Sequence, residues 1–370
     1  EAKIMKKIMV LMMITILLVS AVSISAAGNQ PEKVRVFLEF KGQPDVGAVQ
    51  QAGGRVLHSY TLIDNVLAVE VPVNALSGLL KNPNVVSVEQ DAEVQALGKP
   101  VPSQPVQKLP WGVDKIDAEL SANTGAGVKV CIVDTGIDKS HPDLQANILG
   151  GKNFVAKGAT VDPNKWGDDN GHGTHVAGTI AALDNSIGVV GVAPQTSLLA
   201  AKVLNRQGSG YTSDVIAGIE YCVLNGAEVI SMSLGSSSDT QTLHDAVDAA
   251  YASGSLLVAA AGNDYGGQVS YPAAYDSVIA VSATDSNDNL ASFSNIGPQV
   301  ELAAPGVNVL STWLGGGYNT ISGTSMANPH VAGSAALYIK SHSGSTWSQV
   351  RDGLVTAAEA LNAGHNDPSG

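Results

Sequence analysis

Only two cysteines, Cys131 and Cys222, occur in 370 residues. Two cannot make a disulfide framework, and a chain of this length buries enough core to need none. Basic residues are also scarce, with 20 Lys and Arg against 33 Asp and Glu. The deficit lies after residue 97, where the balance is 12 against 24 (net −12), while residues 1–97 are close to neutral. Phosphate backbones are held by clustered Lys and Arg, so nucleic acid is excluded as a partner. Charged residues make up 14% against 44% hydrophobic, which is too apolar for a disordered chain. The 40 glycines follow no strict period, which removes fibrous folds. At about 150 residues per domain, the chain has room for two to three domains, or one large domain with appendages.

A long apolar stretch runs from Ile8 to Val22, behind the basic Lys6 and Lys7 and ahead of the small residues Ser25-Ala26-Ala27. That order is the order of a secretory signal peptide over residues 1–27, cleaved before Gly28. Thr15 and Ser20 interrupt the stretch, and a spanning helix needs about 20 apolar residues, so a retained anchor is the weaker reading. Residues Glu1 to Ile4 precede the natural-looking start at Met5. The expectation is a secreted, extracellular protein with no stable membrane association, in a compartment that permits disulfides. Cys131 lies in an apolar strand and Cys222 in a helical stretch. Two buried thiols and one bridge both fit.

Residues 33–94 read as a small α+β unit. Strands are predicted at 34–40, 66–71 and 85–88, and a short helix at 73–81 stopped by Asn82-Pro83. Between Gly98 and Pro110 come Pro100, Pro102 and Pro105, which mark a linker and domain boundary. From Trp111 onward strand and helix alternate. Apolar runs at 128–133, 197–203, 229–233, 256–260 and 278–283 alternate with helical segments such as 212–224 and 240–252. Such runs suit strands covered on both faces, so the expected class is α/β, a parallel twisted sheet with helices on both faces. Ligands of such sheets sit at the carboxyl ends of the strands.

Three segments set reactive side chains among small ones. Val133-Asp134-Thr135-Gly136 puts an acid at the end of a buried strand. His172-Gly173-Thr174-His175-Val176-Ala177-Gly178 puts a histidine at the start of an Ala/Gly-rich helix. Gly323-Thr324-Ser325-Met326-Ala327-Asn328-Pro329-His330 opens another helix, with Pro329 expected in its first turn, where no intrahelical N–H is required. Acid, imidazole and hydroxyl are the parts of a nucleophilic triad: a serine attacks only if a base takes its proton, and a buried carboxylate fixes the imidazole tautomer. The assignment is Ser325 as nucleophile, His172 as general base then acid, and Asp134 as orienter. A helix N-terminus at Ser325 adds N–H donors for an oxyanion.

In this order the three motifs resemble the subtilisin family of serine proteases, over about Trp111 to Leu354, with Ser231-Met232-Ser233-Leu234-Gly235 and Ala260-Ala261-Gly262-Asn263 between them. The resemblance implies a secreted serine endopeptidase of broad specificity. Asn263 would be the oxyanion-hole asparagine. Gly208-Ser209-Gly210 and Ser233-Leu234-Gly235 would sandwich the polypeptide substrate as an added strand, which reads main chain. Gly262 and Ser270 would line a roomy, uncharged pocket preferring large apolar or aromatic side chains before the scissile bond. A structural Ca²⁺ is implied, held by side chains of Gln107, Asp143 and Asn185 and carbonyls of Leu183, Ile187 and Val189, an oxygen-only set. A second site would use Glu301 with carbonyls near Ala273 and Tyr275. Residues 28–97 would be a prodomain, an intramolecular chaperone and inhibitor removed by self-cleavage between Leu97 and Gly98. Residues 98–110 would then be the linker and mature N-terminus, and 111–370 a monomeric peptidase domain. Family members continue past Gly364 into a turn and a final helix, so the domain reads as shortened at its C-terminus.

Other readings weigh less. An aspartic protease would need a second Asp-Thr/Ser-Gly, and none is present. His172 and His175 at i, i+3 lack a third ligand at helical spacing, so His175, like His330, reads as a packed histidine. Gly323-Thr324-Ser325-Met326-Ala327 resembles a hydrolase elbow superficially, but its partners come in the wrong chain order. Asp162, Asp168 and Asp169 read as a solvated acidic loop, and Met326 as packing unless exposed. A prodomain-capped binding module without activity would not require Asp134, His172, Ser325 and Asn263 together.

Overall fold

The computed structural model describes residues 32–96, 99–101, 107–156 and 160–361. The expectations for a signal peptide, for processing between Leu97 and Gly98 and for the C-terminal end fall on residues outside those described. The chain divides into two compact units, the first comprising 32–59 and 65–91, the second 60–64 and everything after Asp91.

In the first unit, in chain order, are β1 (Lys33–Phe40), α1 (Val46–Gln51), β2 (Arg55–Ser59), β3 (Val66–Pro72), α2 (Leu76–Leu79) and β4 (Val85–Gln90). The strands form an antiparallel sheet of order β2-β3-β1-β4. The alternation legible in β1 turns Val36, Leu38 and Phe40 inward, onto Val49 of α1, Leu67, Val69 and Val71 of β3, and Leu79. The helix expected at 73–81 is a 3₁₀ turn at Val73–Ala75 followed by α2. The sequence reading missed α1 and β2. Six residues are too few for a helical period, and the half-buried residues of β2 show no alternation.

The second unit opens with β5 (Glu93–Ala96), β6 (Lys99–Val101), α3 (Trp111–Lys115), β7 (Lys129–Asp134), β8 (Ile148–Asn153), α4 (His172–Ala181), β9 (Ser197–Lys202) and β10 (Ser209–Tyr211). It continues with α5 (Thr212–Leu224), β11 (Val229–Met232), β12 (Leu234–Gly235), α6 (Gln241–Ala252), β13 (Leu256–Ala260), β14 (Val278–Thr284) and β15 (Val300–Pro305). It closes with β16 (Val309–Trp313), β17 (Gly317–Ser322), α7 (Thr324–Ser341) and α8 (Trp347–Ala357). Seven parallel strands form the central sheet in the order β15-β14-β13-β11-β7-β9-β8. The fold is therefore the expected parallel α/β sheet. The edge strands β8 and β15 were not expected, because Gly150-Gly151 and the polar Glu301 break their apolar runs.

Strand order reverses around β7, which makes the carboxyl end of β7 the switch point where such sheets place their chemistry. Val130, Ile132, Val258, Ile279 and Val281 of the sheet pack with Val176, Ile180, Met326, Ala332 and Ala336 of the helices in one core. Cys131 in β7 and Cys222 in α5 form a disulfide with Cα atoms 5.6 Å apart, which resolves the open alternative in favour of a bridge. The bridge spans 91 residues of sequence and so restricts the unfolded chain strongly. The division between units falls at Asp91, ahead of the proline-rich stretch, because β5 pairs within the second unit. Among the described residues no helix is long and apolar enough to cross a membrane.

Candidate active site

Asp134 ends β7 fully buried, its backbone carbonyl accepting from Val203 N (2.8 Å) and Leu204 N (3.1 Å). Its carboxylate faces His172: Nδ1 lies 2.8 Å from Oδ1 and 2.9 Å from Oδ2. The Thr135 N–H also donates to Oδ1, at 2.6 Å. His172 is the first residue of α4 and nearly buried. The turn before it needs Gly171, whose φ is +111° and where a Cβ would come within 2.4 Å of the Trp313 ring.

Asp168 supplies the cap of α4. Its Oδ1 accepts from Asn170 N and Gly171 N, and its Oδ2 from Thr174 N (3.0 Å) and the Thr174 hydroxyl (2.6 Å). Asp169 pairs with Lys202 at 2.6 Å. The solvated acidic loop expected here is thus corrected for Asp168, whose carboxylate is taken up by the helix; Asp162 and Asp169 keep that character, both exposed, the first paired with Lys165 and the second with Lys202. A carboxylate at a helix N-terminus satisfies otherwise orphaned N–H groups, so Asp168 fixes the segment that carries His172.

The other two histidines of the motifs stay neutral and structural. Burial, then the neighbouring His172, pushes His175 down to about 3, and its Nε2–H is shared between Val309 O (3.0 Å) and Asn319 O (3.2 Å). Burial pushes His330 down to about 4, and its Nδ1–H donates to Met326 O at 2.8 Å. His172 and His175 therefore face different partners, and no group of three or more His, Cys, Asp or Glu suited to a metal exists among the described residues.

Ser325 sits in the first turn of α7, which packs against α4. Its hydroxyl donates to Ser233 O at 3.1 Å. Pro329 lies in the second turn of α7 rather than the first, so the carbonyl of Ser325, four residues earlier, loses its helical donor. The Ser233 hydroxyl replaces that donor at 2.8 Å, and Asn328 Nδ2 holds both Ser231 Oγ (2.8 Å) and Ser233 Oγ (3.0 Å). A proline that looks like a defect thus couples the Ser325 turn to the strand end at Ser233. Met326 is fully buried, so its role is packing.

Asn263 follows β13 and places Oδ1 against Thr324 N (2.9 Å) and Thr324 Oγ1 (3.0 Å). With the oxygen so engaged, its Nδ2 is the end left to donate elsewhere, next to the N-terminus of α7. Gly262, Gly235 and Ser270 converge. A Cβ on Gly262 would lie 2.6 Å from Ser270 Oγ and 2.3 Å from Asn295 Nδ2, and one on Gly235 would lie 2.9 Å from Ser270 Cβ. Asn295, which the sequence reading missed, is the hub of this wall. Its amide donates to Ala261 O, Gln268 O and Asp264 Oδ2 and accepts from Asp264 N. A lone asparagine in a turn carries no signal before its partners are known.

β5 lies between β10 and β12, antiparallel to both, with Val94 opposite Gly210 and Gln95 opposite Gly235. Ser209, Gly210, Leu234 and Gly235 thus form two facing backbone edges with a strand of this chain between them. Gly208 turns the chain into β10 with φ +75°, and Ser233 precedes β12.

The residues assigned to calcium also gather. The buried Asp143 carboxylate contacts Asn185 Nδ2 (2.6 Å), Val189 N (3.0 Å) and the Tyr318 hydroxyl (2.9 Å). Leu183 N donates to Asp143 O at 2.9 Å, Ile187 N to Asn185 Oδ1 at 2.7 Å, and Gln107 Nε2 to Asp184 Oδ1 at 3.4 Å. One irregular loop, with Gly188 at φ +64°, sets Asn185 and Val189 against the Asp143 carboxylate, whose oxygens accept from their N–H groups and from the Tyr318 hydroxyl, while Gln107 reaches Asp184 of the same loop. At Glu301 the arrangement is different. Arg351 clasps its carboxylate through Nε (2.6 Å) and Nη2 (2.5 Å), and Nη1 donates to Asp276 O (2.6 Å). A fixed guanidinium stands where the second calcium was expected.

The profile of the subtilase family matches residues 125–369. An alkaline protease of Alkalihalobacillus alcalophilus is 44% identical, over 90% of this chain and 86% of its own length. A thermostable alkaline protease of Halalkalibacterium halodurans is 42% identical, over 96% and 94%. Subtilisin E of Bacillus subtilis is 41% identical, over 92% and 90%.

Proposed function

Because the chain belongs to the subtilase family and is a serine endopeptidase acting on protein substrates, we propose that Ser325, His172 and Asp134 are its triad and Asn263 its oxyanion donor. The observation that carries this reading is the buried Asp134–His172 pair at 2.8 Å, at the switch point of the sheet. Asp134 holds the Nδ1 proton in place, which leaves Nε2 as the base. In attack the Ser325 hydroxyl turns from Ser233 O toward that nitrogen, gives up its proton and adds to the peptide carbonyl. Negative charge gathers on the carbonyl oxygen, where Asn263 Nδ2 and the first N–H groups of α7 donate to it. The imidazolium then protonates the leaving amine, and water repeats the sequence to free the acid.

Ser209–Gly210 and Leu234–Gly235 would bind substrate main chain as an added strand, giving broad specificity. The glycines at 235 and 262 and the small Ser270 leave room for a large apolar or aromatic side chain before the scissile bond. The protein would be secreted through residues 1–27 and act as a monomer. Residues 28–97 would fold as a prodomain that first assists and then inhibits the peptidase. β5, ending one residue before Leu97, supports this: it lies along the edges a substrate would need. Sequencing the N-terminus of the purified processed protein tests the proposal. It should begin at Gly98 or within a few residues of it, and a precursor that never cleaves, even with calcium, would favour the inactive binding module.

Asp143, Asn185 and Gln107, with carbonyls of Leu183, Ile187 and Val189, would hold a structural Ca²⁺, whose hard, oxygen-only preference matches this donor set. The ion would fix the 183–189 loop and take no part in the reaction. A ligand bound at 100 times its Kd stabilises by about 2.7 kcal/mol, and at about 2–4 °C per kcal/mol for a domain of this size, chelation should lower Tm by about 5–10 °C. Calorimetry with and without chelator checks this. Asp143→Asn should remove the difference, and an equal Tm in the parent protein would count against the site.

A further inference from the structure

Lys202 ends β9 opposite Asp134 of β7, and among the described residues it is the one buried lysine or arginine. A buried ammonium persists only if all three of its donors are matched. Here they are: Nζ lies 2.6 Å from Thr135 O, 2.9 Å from Leu204 O and 2.6 Å from Asp169 Oδ1. The Asp169 carboxylate is half exposed, so water weakens its charge.

Each acceptor belongs to a different part of the site. Thr135 donates its N–H to Asp134 Oδ1, and its hydroxyl accepts from Gly173 N (2.8 Å), the residue after His172. Leu204 N donates to the carbonyl of Asp134. Asp169 lies between the capping Asp168 and Asn170, whose Oδ1 accepts from His172 N at 3.1 Å. One ammonium thus joins the turn behind the acid to the segment that leads into the imidazole helix. Without it the carbonyls of Thr135 and Leu204 would face each other with no donor between them.

We propose that Lys202 is a positioning residue that holds Asp134 and His172 in register through Thr135 O and Asp169. It touches neither substrate nor reacting atoms. The inference rests on the assignment of Asp134 and His172 as the orienting acid and the base. The β10 edge has its own supports, since Asn205 N donates to Ser209 O (2.8 Å) and Asn205 Oδ1 accepts from Gln207 N (2.8 Å). Loss of Lys202 should therefore affect turnover more than substrate binding.

The test uses mature enzyme, counted by active-site titration, on a tetrapeptide amide. Lys202→Met keeps the length of the side chain and removes all three donors. A displacement of the pair by about 1 Å costs about 10²-fold, so kcat should fall by about that factor with KM changed less than threefold. The downfield ¹H resonance of the His172 Nδ1 proton should shift or broaden in parallel. A merely structural lysine would lower Tm and leave kcat per titrated site and the resonance unchanged, which would overturn the proposal. If Lys202→Met does not mature, Asp169→Ala decides, because its side chain is half exposed. A kcat loss of about threefold or more at constant KM, with a shifted resonance, supports the proposal, and parent values for both overturn it. Absence of hydrolysis by the parent enzyme would instead remove the triad assignment on which the inference rests.

Discussion

Ser325→Ala should abolish casein hydrolysis, with kcat falling by about 10⁶, the loss known for the same change in subtilisin itself. The fold should survive. The hydroxyl makes one hydrogen bond, to Ser233 O at 3.1 Å, and a single neutral bond is worth about 1 kcal/mol net. The coupling of α7 to Ser233 runs through the Ser325 backbone carbonyl, which alanine retains. Full-length precursor should accumulate, since the proposed self-cleavage uses the same hydroxyl. Steady-state kinetics and intact mass check both effects together.

Asp134→Asn should lower kcat by about 10⁴ at nearly constant KM, about 5.5 kcal/mol of transition-state stabilisation. The direction follows from the contacts. The Thr135 N–H donates to Oδ1 at 2.6 Å, so an asparagine would turn its oxygen to that position. Its Nδ2 would then face His172 Nδ1 from the position of Oδ2, now 2.9 Å away. The amide oxygen would remain 2.8 Å from Nδ1 but neutral and shared with the Thr135 N–H, while Nδ2 opposes a proton on Nδ1. The tautomer protonated at Nε2, which lacks the lone pair that receives the serine proton, is therefore favoured. Kinetics at saturating and limiting substrate separate this loss of turnover from a binding defect, which would raise KM instead.

The parts of this site that sequence made legible are those whose local chemistry is distinctive. Asp134 closes a run of apolar residues that can only be a buried strand, and His172 and Ser325 open helices crowded with Gly and Ala. Strands β7, β13 and β14 were readable for the same reason, since continuous apolar runs have few alternatives. What stayed hidden depends on partners far away in sequence. Asp168 and Asp169 look alike in a loop, yet one caps α4 and the other meets Lys202, 33 residues on. Pro329 reads as a first-turn proline until the Ser233 hydroxyl, 92 residues from Ser325, is seen to replace its missing donor. Glu301 reads as a cation ligand until Arg351 arrives from α8. The pairing of β5 in the second unit was equally invisible, because a four-residue strand has no period to read and its neighbours β10 and β12 are as short.

The central claim is that Asp134 and His172 together activate the hydroxyl of Ser325, and covalent labelling tests it most directly. Mature enzyme treated with a serine-directed sulfonyl fluoride should gain one adduct, mapped to Ser325, with activity lost in step. The same reagent should label Asp134→Asn at least 10²-fold more slowly. An adduct on another residue, or equal labelling rates in the parent and Asp134→Asn, would contradict the account.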